Sequence, residues 1–313
     1  MTWGFGKVIL LGEHAVVYDH PAVAGALSLG VHAQPGDGPN FRTFAPNTRS
    51  SLSFSFRDGS YSSDPPAIVL DAFAAIVTAL DADQLDLHLQ CDVSLPIGAG
   101  LGSSAALSVA ATRAVAEAIG RQVSDDVVER IANEAERCFH GTPSGIDVAM
   151  ACRGGLGVFR RSTGLRPLAA APVRLAIGLS GQPKRTADMV GRVAAAVAAE
   201  PARAEPLLAA LGALASAGAG ALEAGDLNQL GALMNDAHTG LARLGLSTAV
   251  LDDMVAVARN AGAVGAKLTG GGGGGAVIAL APGREAAIVA AWQARGWDAF
   301  DCVVGVSHAD VSR

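Results

Sequence analysis

Lysine is nearly missing from this chain. Of the 23 basic residues in 313, only Lys7, Lys184 and Lys267 are lysine, and the other 20 are arginine. The formal net charge of −6 argues against a broad phosphate-backbone footprint, which needs a basic surface to displace counterions, so no nucleic-acid partner is expected. Aromatic residues are scarce, at 9 Phe, 3 Trp and 2 Tyr, and the core must be built from Ala, Val, Leu and Ile. The 4 cysteines, Cys91, Cys138, Cys152 and Cys302, have neither C-x-x-C spacing nor a His placed to complete a zinc set, and are expected to be reduced, buried apolar residues. Long hydrophobic runs are missing as well. The apolar residues 8–11 are too few for a signal-peptide core. The uncharged apolar run over residues 207–222 is interrupted by Gly and falls short of the ~20 residues of a membrane span. A soluble cytoplasmic protein without membrane association is the expectation.

Glycine is abundant instead. The 39 glycines make up about 12% of the chain, against a usual ~7%. With 14 prolines the pair reaches about 17%, below the ~25–30% of low-complexity chains. Half of the residues are hydrophobic and 17% are charged, enough for a sizeable core, and the length suggests two domains.

Residues 8–11 and 23–31 read as strands joined by a turn containing Asp19, His20 and Pro21. Residues 32–66 read as a long exposed hairpin or loop around a short alternating strand (Leu52, Phe54, Phe56). A helix is expected over 68–80 and a half-buried strand over 85–93, followed by a Gly-rich turn and helices over 103–119 and, opened by Ser124, 125–139. Strands over 155–159 and 173–179 flank a polar link, and a domain division near Pro167 is placed there. Helices over 187–199, 206–223, 227–244 and 248–261 follow, then a strand–glycine–strand segment over 264–280, a helix over 284–295 and a strand over 299–306. Strands and helices mix without a regular βαβ rhythm, which favours an α+β class.

Three glycine constellations carry the chemistry. Leu95-Pro-Ile-Gly-Ala-Gly-Leu-Gly-Ser-Ser-Ala-Ala-Leu107 lies between a strand and a helix. Gly98, Gly100 and Gly102 let backbone N–H groups converge, and the helix starting near Ser103 directs its positive dipole end at the same point, which suits a di- or triphosphate. Ser103 and Ser104 serve either as helix caps or as ligands of a phosphate or metal. The segment matches neither the P-loop pattern nor the dinucleotide pattern. In Glu136-Arg-Cys-Phe-His-Gly-Thr-Pro-Ser-Gly-Ile-Asp147, two carboxylates joined by a tight turn can divide into a metal ligand and a proton acceptor. The alternative is a solvated helix residue and a cap. Lys267-Leu-Thr followed by Gly270 to Gly275 reads as a loop within a folded unit rather than a linker, and six residues without side chains admit another backbone or a ligand. At the amino terminus, Lys7 precedes an apolar strand, and Glu13 and His14 follow it, an arrangement that core packing does not require.

In this order, Gly-Lys-Val-Ile-Leu-Leu-Gly-Glu-His-Ala-Val-Val-Tyr, Pro-Ile-Gly-Ala-Gly-Leu-Gly-Ser-Ser-Ala-Ala, His-Gly-Thr-Pro-Ser-Gly-Ile-Asp and Lys-Leu-Thr with six glycines, the chain resembles the GHMP kinases from residue 6 to about residue 280. Ala15-Val16-Val17-Tyr18 after Gly12-Glu13-His14 is similar to the mevalonate kinase branch. The resemblance implies a two-domain α+β fold, with an ATP-binding domain like that of ribosomal protein S5 over 1–166 and a ferredoxin-like domain over 167–313. It implies an ATP-dependent transfer to mevalonate, with Mg²⁺, in isoprenoid precursor synthesis. Asp147 matches the catalytic aspartate, and Lys7 the lysine that would hold it ionised and stabilise the transferred phosphoryl group. Pro96, Gly98, Ala99, Gly100, Leu101, Gly102, Ser103 and Ser104 match the ATP-binding loop, and Ser104 and Glu136 the Mg²⁺ ligands. Glu13, His14, Ser144 and, near Arg185, Thr186 match substrate-proximal positions. The glycine run is expected near the active site, and residues 32–66 near the adenine. A homodimer is left open. Two other readings stay open too. One is a sister GHMP kinase such as phosphomevalonate kinase, mevalonate 3-kinase or a sugar kinase, although no basic cluster for a phosphorylated substrate accompanies Glu13 or Asp147. The other is a non-catalytic ATP-binding regulator, which has no need of Lys7, Glu136 and Asp147 together.

Overall fold

The computed structural model describes residues 2–35, 51–56, 61–62, 66–83, 87–140, 144–183 and 186–311. By spatial proximity the chain forms two compact units that are not contiguous in sequence. The first contains Met1–Gly6, Leu29–Pro96 and Gly102–Gly154, and the second Lys7–Ser28, Ile97–Leu101 and Gly155–Arg313. The expected division at 166/167 is contiguous. Here residues 7–28 and 97–101 group with the carboxy-terminal part, and the break in the second half falls at Gly154/Gly155.

In the first unit, β3 (Ser51–Phe56) runs parallel to β5 (His88–Val93), which pairs antiparallel with the outer half of β2 (Ala22–Pro35). β4 (Tyr61–Ser62) adds to the β3 edge. Four helices accompany this sheet: α1 (Ala67–Ala79), α2 (Ser103–Ala118), α3 (Asp125–His140) and α4 (Ile146–Arg153). Ala105 and Val109 of α2, Val128 and Ala132 of α3, and Val148, Ala151 and Cys152 of α4 form one buried cluster. Small side chains allow close helix contact, and the cluster fixes the ends of α2 and α4 relative to α3. Arg113 braces the same helices, donating to Trp3 O at 2.6 Å, to Cys152 O at 2.9 Å and to Asp125 Oδ1 at 2.7 Å.

The second unit is built on the strand order β2-β11-β8-β10-β9, with β8 (Val173–Leu179), β9 (Gly265–Thr269), β10 (Ala276–Leu280) and β11 (Ala299–Val304) all antiparallel to their neighbours. β6 (Leu156–Arg160) pairs with the inner half of β2 and forms a hairpin with β7 (Gly164–Pro167). The helices are α5 (Thr186–Ala199), α6 (Pro201–Ala224), α7 (Leu227–Arg243), α8 (Ala249–Asn260), α9 (Glu285–Gln293) and the short α10 (His308–Val311). By length and composition alone α6 is long and apolar enough to cross a membrane. Its Leu208, Leu211, Ala215 and Leu222 are buried in this fold.

Several elements differ from the sequence-based expectation. β1 (Trp3–Leu11) starts five residues earlier than expected. Gly4 and Gly6 look like strand breakers, but here they make room for neighbours. A Cβ on Gly4 would lie 2.0 Å from Ala106 O of α2. α6 starts at Pro201 and carries Pro206 inside it; Pro201 at the first helical position has the fixed φ that a helix start needs. α4 occupies a stretch whose sequence shows only a turn leading to Asp147, because Ile146, Val148, Ala149, Met150, Ala151 and Cys152 are all buried and leave no amphipathic period. The polar link holds β7. Cys91, Cys152 and Cys302 are buried thiols, whereas Cys138 is only half-buried. Burial pushes the Cys152 thiol up to about 12, so it stays protonated.

Two glycines separate packing from propensity. Gly4→Ala, forced against the Ala106 carbonyl, should destabilise the protein by about 2 kcal/mol or more. Gly220 is exposed within α6, and nothing lies within 4 Å of where an alanine methyl would sit. Gly220→Ala should therefore gain about 0.5–1 kcal/mol. Urea titration of both variants checks the opposite signs.

Candidate active site

The second unit holds Lys7, Glu13, His14, Thr186 and residues 97–101. Lys7 lies near the middle of β1 and is 2% exposed. Its backbone N–H donates to Leu101 O at 2.9 Å, and its Nζ to Gly100 O at 3.4 Å. β1 therefore grips the glycine loop by backbone and side chain at once. In the loop, Gly98, Gly100 and Gly102 all have positive φ, at 76°, 85° and 80°. Glycines in that region permit the backbone turns from which anion-binding nests of N–H groups are made. Ile97 and Gly98 are exposed, while Leu101 and Gly102 are buried, so the tip is open and the base is anchored.

The run Gly270–Gly275 meets the same loop. A Cβ on Gly275 would lie 3.2 Å from Ala99 O, and one on Gly271 would lie 2.8 Å from Thr186 Oγ1. Five of the six have positive φ. The run is tied down by Gly273 N–H to Leu246 O at 2.9 Å and by Gly275 N–H to Gln182 O at 3.1 Å. It is a fixed loop, not a linker, and it lies beside the backbone of the 97–101 loop.

Glu13 and His14 follow β1 directly. Both are buried, and His14 sits at a φ of 60°, which is strained for a side-chain-bearing residue. Its Nε2 bonds Gly271 O at 2.8 Å. Since a carbonyl only accepts, Nε2 carries the proton. Thr186 also packs against Gly271, and its Oγ1 is buried with no hydrogen-bond partner among the described residues. Glu13 Oε1 forms an ion pair with Lys267 Nζ of β9, and both side chains are fully buried. Lys267 stands out in the sequence as one of three lysines, yet no motif reading places it among the site residues. Lysine scarcity is the signal that could have found it.

The first unit holds Gly102, Ser103, Ser104, Glu136, Ser144 and Asp147, together with Pro96. Gly102 is the N-cap of α2, so Ser103 and Ser104 are inside the first turn, and neither is the cap. Ser104 Oγ donates to Glu136 Oε2 at 3.2 Å and lies 3.3 Å from His140 Nε2. Glu136 is 1% exposed; it is a buried carboxylate and not the solvated helix residue of the alternative reading. The unforeseen member is His140, one helical turn beyond Glu136 and 3.8 Å from its Oε2. Asp147 is in the first turn of α4, after Gly145 at a φ of 87°, and is half-buried, as is Ser144. Residues 141–143 and 184–185, which include Arg185 and most of the expected tight turn, lie outside the described residues.

The donor set suits Mg²⁺. A hydroxyl and a carboxylate in contact are hard oxygen donors, and this cation typically takes one or two carboxylates and completes its shell with water and substrate phosphates. No cluster of three or more His, Cys, Asp or Glu able to hold a metal occurs among the described residues.

Burial holds the His14 imidazole below its ordinary value of 6.5, against the raising effect of the Gly271 carbonyl. The neutral form is therefore favoured in the folded state. Stability from it is complete above about pH 6.5 and is lost as pH falls below that toward the lower folded value. The His14→Gln variant should lose less melting temperature than wild type between about pH 7.5 and 5.5, measured by parallel thermal scans.

Comparison with known proteins extends this geometry. The family model for the GHMP kinases N terminal domain matches residues 67–155, and that for GHMP kinases C terminal matches residues 219–297. Mevalonate kinase of Pyrococcus horikoshii is 35% identical, over 93% of this chain and 91% of its own. Mevalonate kinase of Aeropyrum pernix is 34% identical, over 88% of this chain and 86% of its own. Among solved structures, L. major mevalonate kinase in complex with R-mevalonate aligns with a TM-score of 0.83 at 29% identity, covering 97% of this chain and 95% of that one. Identity at this level over nearly the whole length means that the chain belongs to the GHMP kinases, within the mevalonate kinase family.

Proposed function

We propose that this enzyme transfers the γ-phosphoryl group of ATP to the 5-hydroxyl of mevalonate. Two features support the reading together: relatives called mevalonate kinase align over about nine-tenths of the chain, and a glycine-rich loop leads into α2, whose Ser104 meets the buried Glu136 carboxylate. The loop over residues 96–104 takes the ATP phosphates on backbone N–H groups and the α2 dipole. Ser104 and Glu136 would hold Mg²⁺, which when bound neutralises charge on the β- and γ-phosphates.

Asp147 accepts the proton of the attacking hydroxyl. As a carboxylate in the first turn of α4 it is in a position where a helix dipole favours its charged form. Lys7, pinned to the glycine loop at Gly100 O, supplies a compact positive charge for the phosphoryl group as negative charge develops on it. An ammonium with three donors can bind a carbonyl and still serve an anion, which a planar guanidinium would do in a different geometry. Glu13, His14, Ser144 and Thr186 contact mevalonate. Glu13, His14 and Thr186 are polar side chains grouped around Gly271 and Lys267, the kind of lining that orients a hydroxy acid.

A coupled ADP-release assay with mevalonate, phosphomevalonate, galactose and homoserine tests the substrate. Mevalonate alone should stimulate release, and a preference for any other acceptor would overturn the assignment. In the same assay Asp147→Asn and Lys7→Met should each lower kcat by about 10²-fold or more, while unchanged rates would reject the assigned roles. Ser104→Ala and Glu136→Gln should raise the Mg²⁺ concentration for half-maximal rate by about tenfold, read from magnesium titrations at saturating ATP.

A further inference from the structure

We infer that Lys267 is a positioning residue for the acceptor substrate: it holds Glu13 by one carboxylate oxygen and reserves the other, as a charged acceptor, for a hydroxyl of the bound molecule. The inference rests on the reading above that Glu13 contacts mevalonate, and it adds the residue that gives Glu13 its charge and direction.

Lys267 is on β9, flanked by Ala266 and Leu268, and all three are 0% exposed. An ammonium there is expensive to desolvate, and a packed apolar side chain would serve stability as well or better. Its Nζ donates to Glu13 Oε1 and to Leu268 O, the latter at 2.7 Å. Glu13 Oε2 is buried and has no hydrogen-bond partner among the described residues. A buried carboxylate oxygen without a donor is a costly arrangement, and a ligand hydroxyl would relieve it. The pair also has a rigid frame. Thr269 Oγ1 accepts from Ile9 N–H at 3.1 Å and donates to Ile9 O at 2.9 Å, so β1 and the end of β9 are locked two residues from Lys267. Behind Lys267, Leu268 N–H donates to His238 Nδ1 at 3.4 Å, which leaves His238 Nε2 to donate to Asp252 Oδ1 at 3.1 Å.

The groups that bear on the charge of Glu13 are Lys267, Lys7 and its own backbone N–H. His14, next in sequence, is held neutral by burial. His238, which faces Lys267 from α7, is also held toward its neutral form, first by burial and against the pull of Asp252. Burial drives the Glu13 carboxyl up, and Lys267 is the main influence pulling it down. Without Lys267, Glu13 takes a proton more readily and turns from acceptor to donor.

The test uses Lys267→Met, Glu13→Gln and the double variant, with calorimetric titration of R-mevalonate in the absence of ATP and Mg²⁺, steady-state kinetics and melting temperatures. Lys267→Met should weaken mevalonate binding and raise its KM by about tenfold or more. The KM for ATP should stay within about twofold, since the loop contacts of Lys7 are untouched. The acidic limb of kcat/KM for mevalonate should move to higher pH. The double variant, free of an uncompensated charge, should regain the melting temperature lost in Lys267→Met yet keep the weak mevalonate binding. It also carries the test if Lys267→Met does not fold. Wild-type affinity and pH profile in Lys267→Met, or affinity returning with stability in the double variant, would overturn the inference and reduce the pair to a structural one. If the wild-type protein itself bound no mevalonate, the functional reading would fail instead.

Discussion

Close approach of backbone to backbone is the constraint on which the second unit's site depends. The glycine loop is gripped from β1 through Lys7, by its N–H to Leu101 O and its Nζ to Gly100 O. It also meets the glycine run, where a Cβ on Gly275 would press on Ala99 O. Any side chain at that contact would push on the loop. A phosphate cradle made of N–H groups works only if the groups are already aimed before the ligand arrives, because reorganisation at the moment of reaction would cost what the dipoles gain. The glycines thus convert a flexible composition into a rigid surface. Positive φ at five of the run's six positions explains why other residues would not replace them.

The same logic accounts for the buried charges. Glu13 and Lys267 form an ion pair without solvent, and such a pair is weak evidence for stability. Breaking one by removing a single partner costs about 3–5 kcal/mol, whereas an apolar replacement of both is often neutral or better. A fold selected only for stability has no reason to keep it. Its location is informative: it joins the residue after Gly12 at the end of β1 to the strand that leads into the glycine run, beside His14 and its bond to Gly271. In the first unit Ser104 and Glu136 are placed by a core of alanines and valines shared among α2, α3 and α4, where small side chains let the helices sit close.

Much of this is legible in the residues. Alternation and helical spacing mark most strands and helices, and β8 occupies the residues expected for it. The glycine loops stand out by composition, whereas the serines and carboxylates beside them read equally well as helix caps or solvated helix residues until their burial and contacts are seen. What escapes reading has physical reasons. α4 is buried on almost every side, so no polar face announces it. The amino-terminal half of β1 is interrupted by Gly4 and Gly6, whose value is the room they leave, which for Gly4 only the packed neighbour Ala106 reveals. His140 is an i,i+4 neighbour of Glu136 on α3, but its approach to Ser104 crosses from α3 to α2, a distance that no local pattern encodes. The Lys267–Glu13 pair spans 254 positions, and only the rarity of lysine hints at it.

The proposed reaction is transfer of the γ-phosphoryl group to the primary hydroxyl of mevalonate. Proton-coupled ³¹P spectroscopy of the product decides this directly, because phosphorus on the 5-oxygen has a neighbouring methylene and phosphorus on the tertiary 3-oxygen has no such hydrogens. The expected result is one new phosphomonoester signal split into a triplet, growing in step with ADP. An unsplit signal would place the phosphoryl group on the 3-hydroxyl, and inorganic phosphate alone would mean hydrolysis without transfer. Either result would contradict phosphorylation at the 5-hydroxyl.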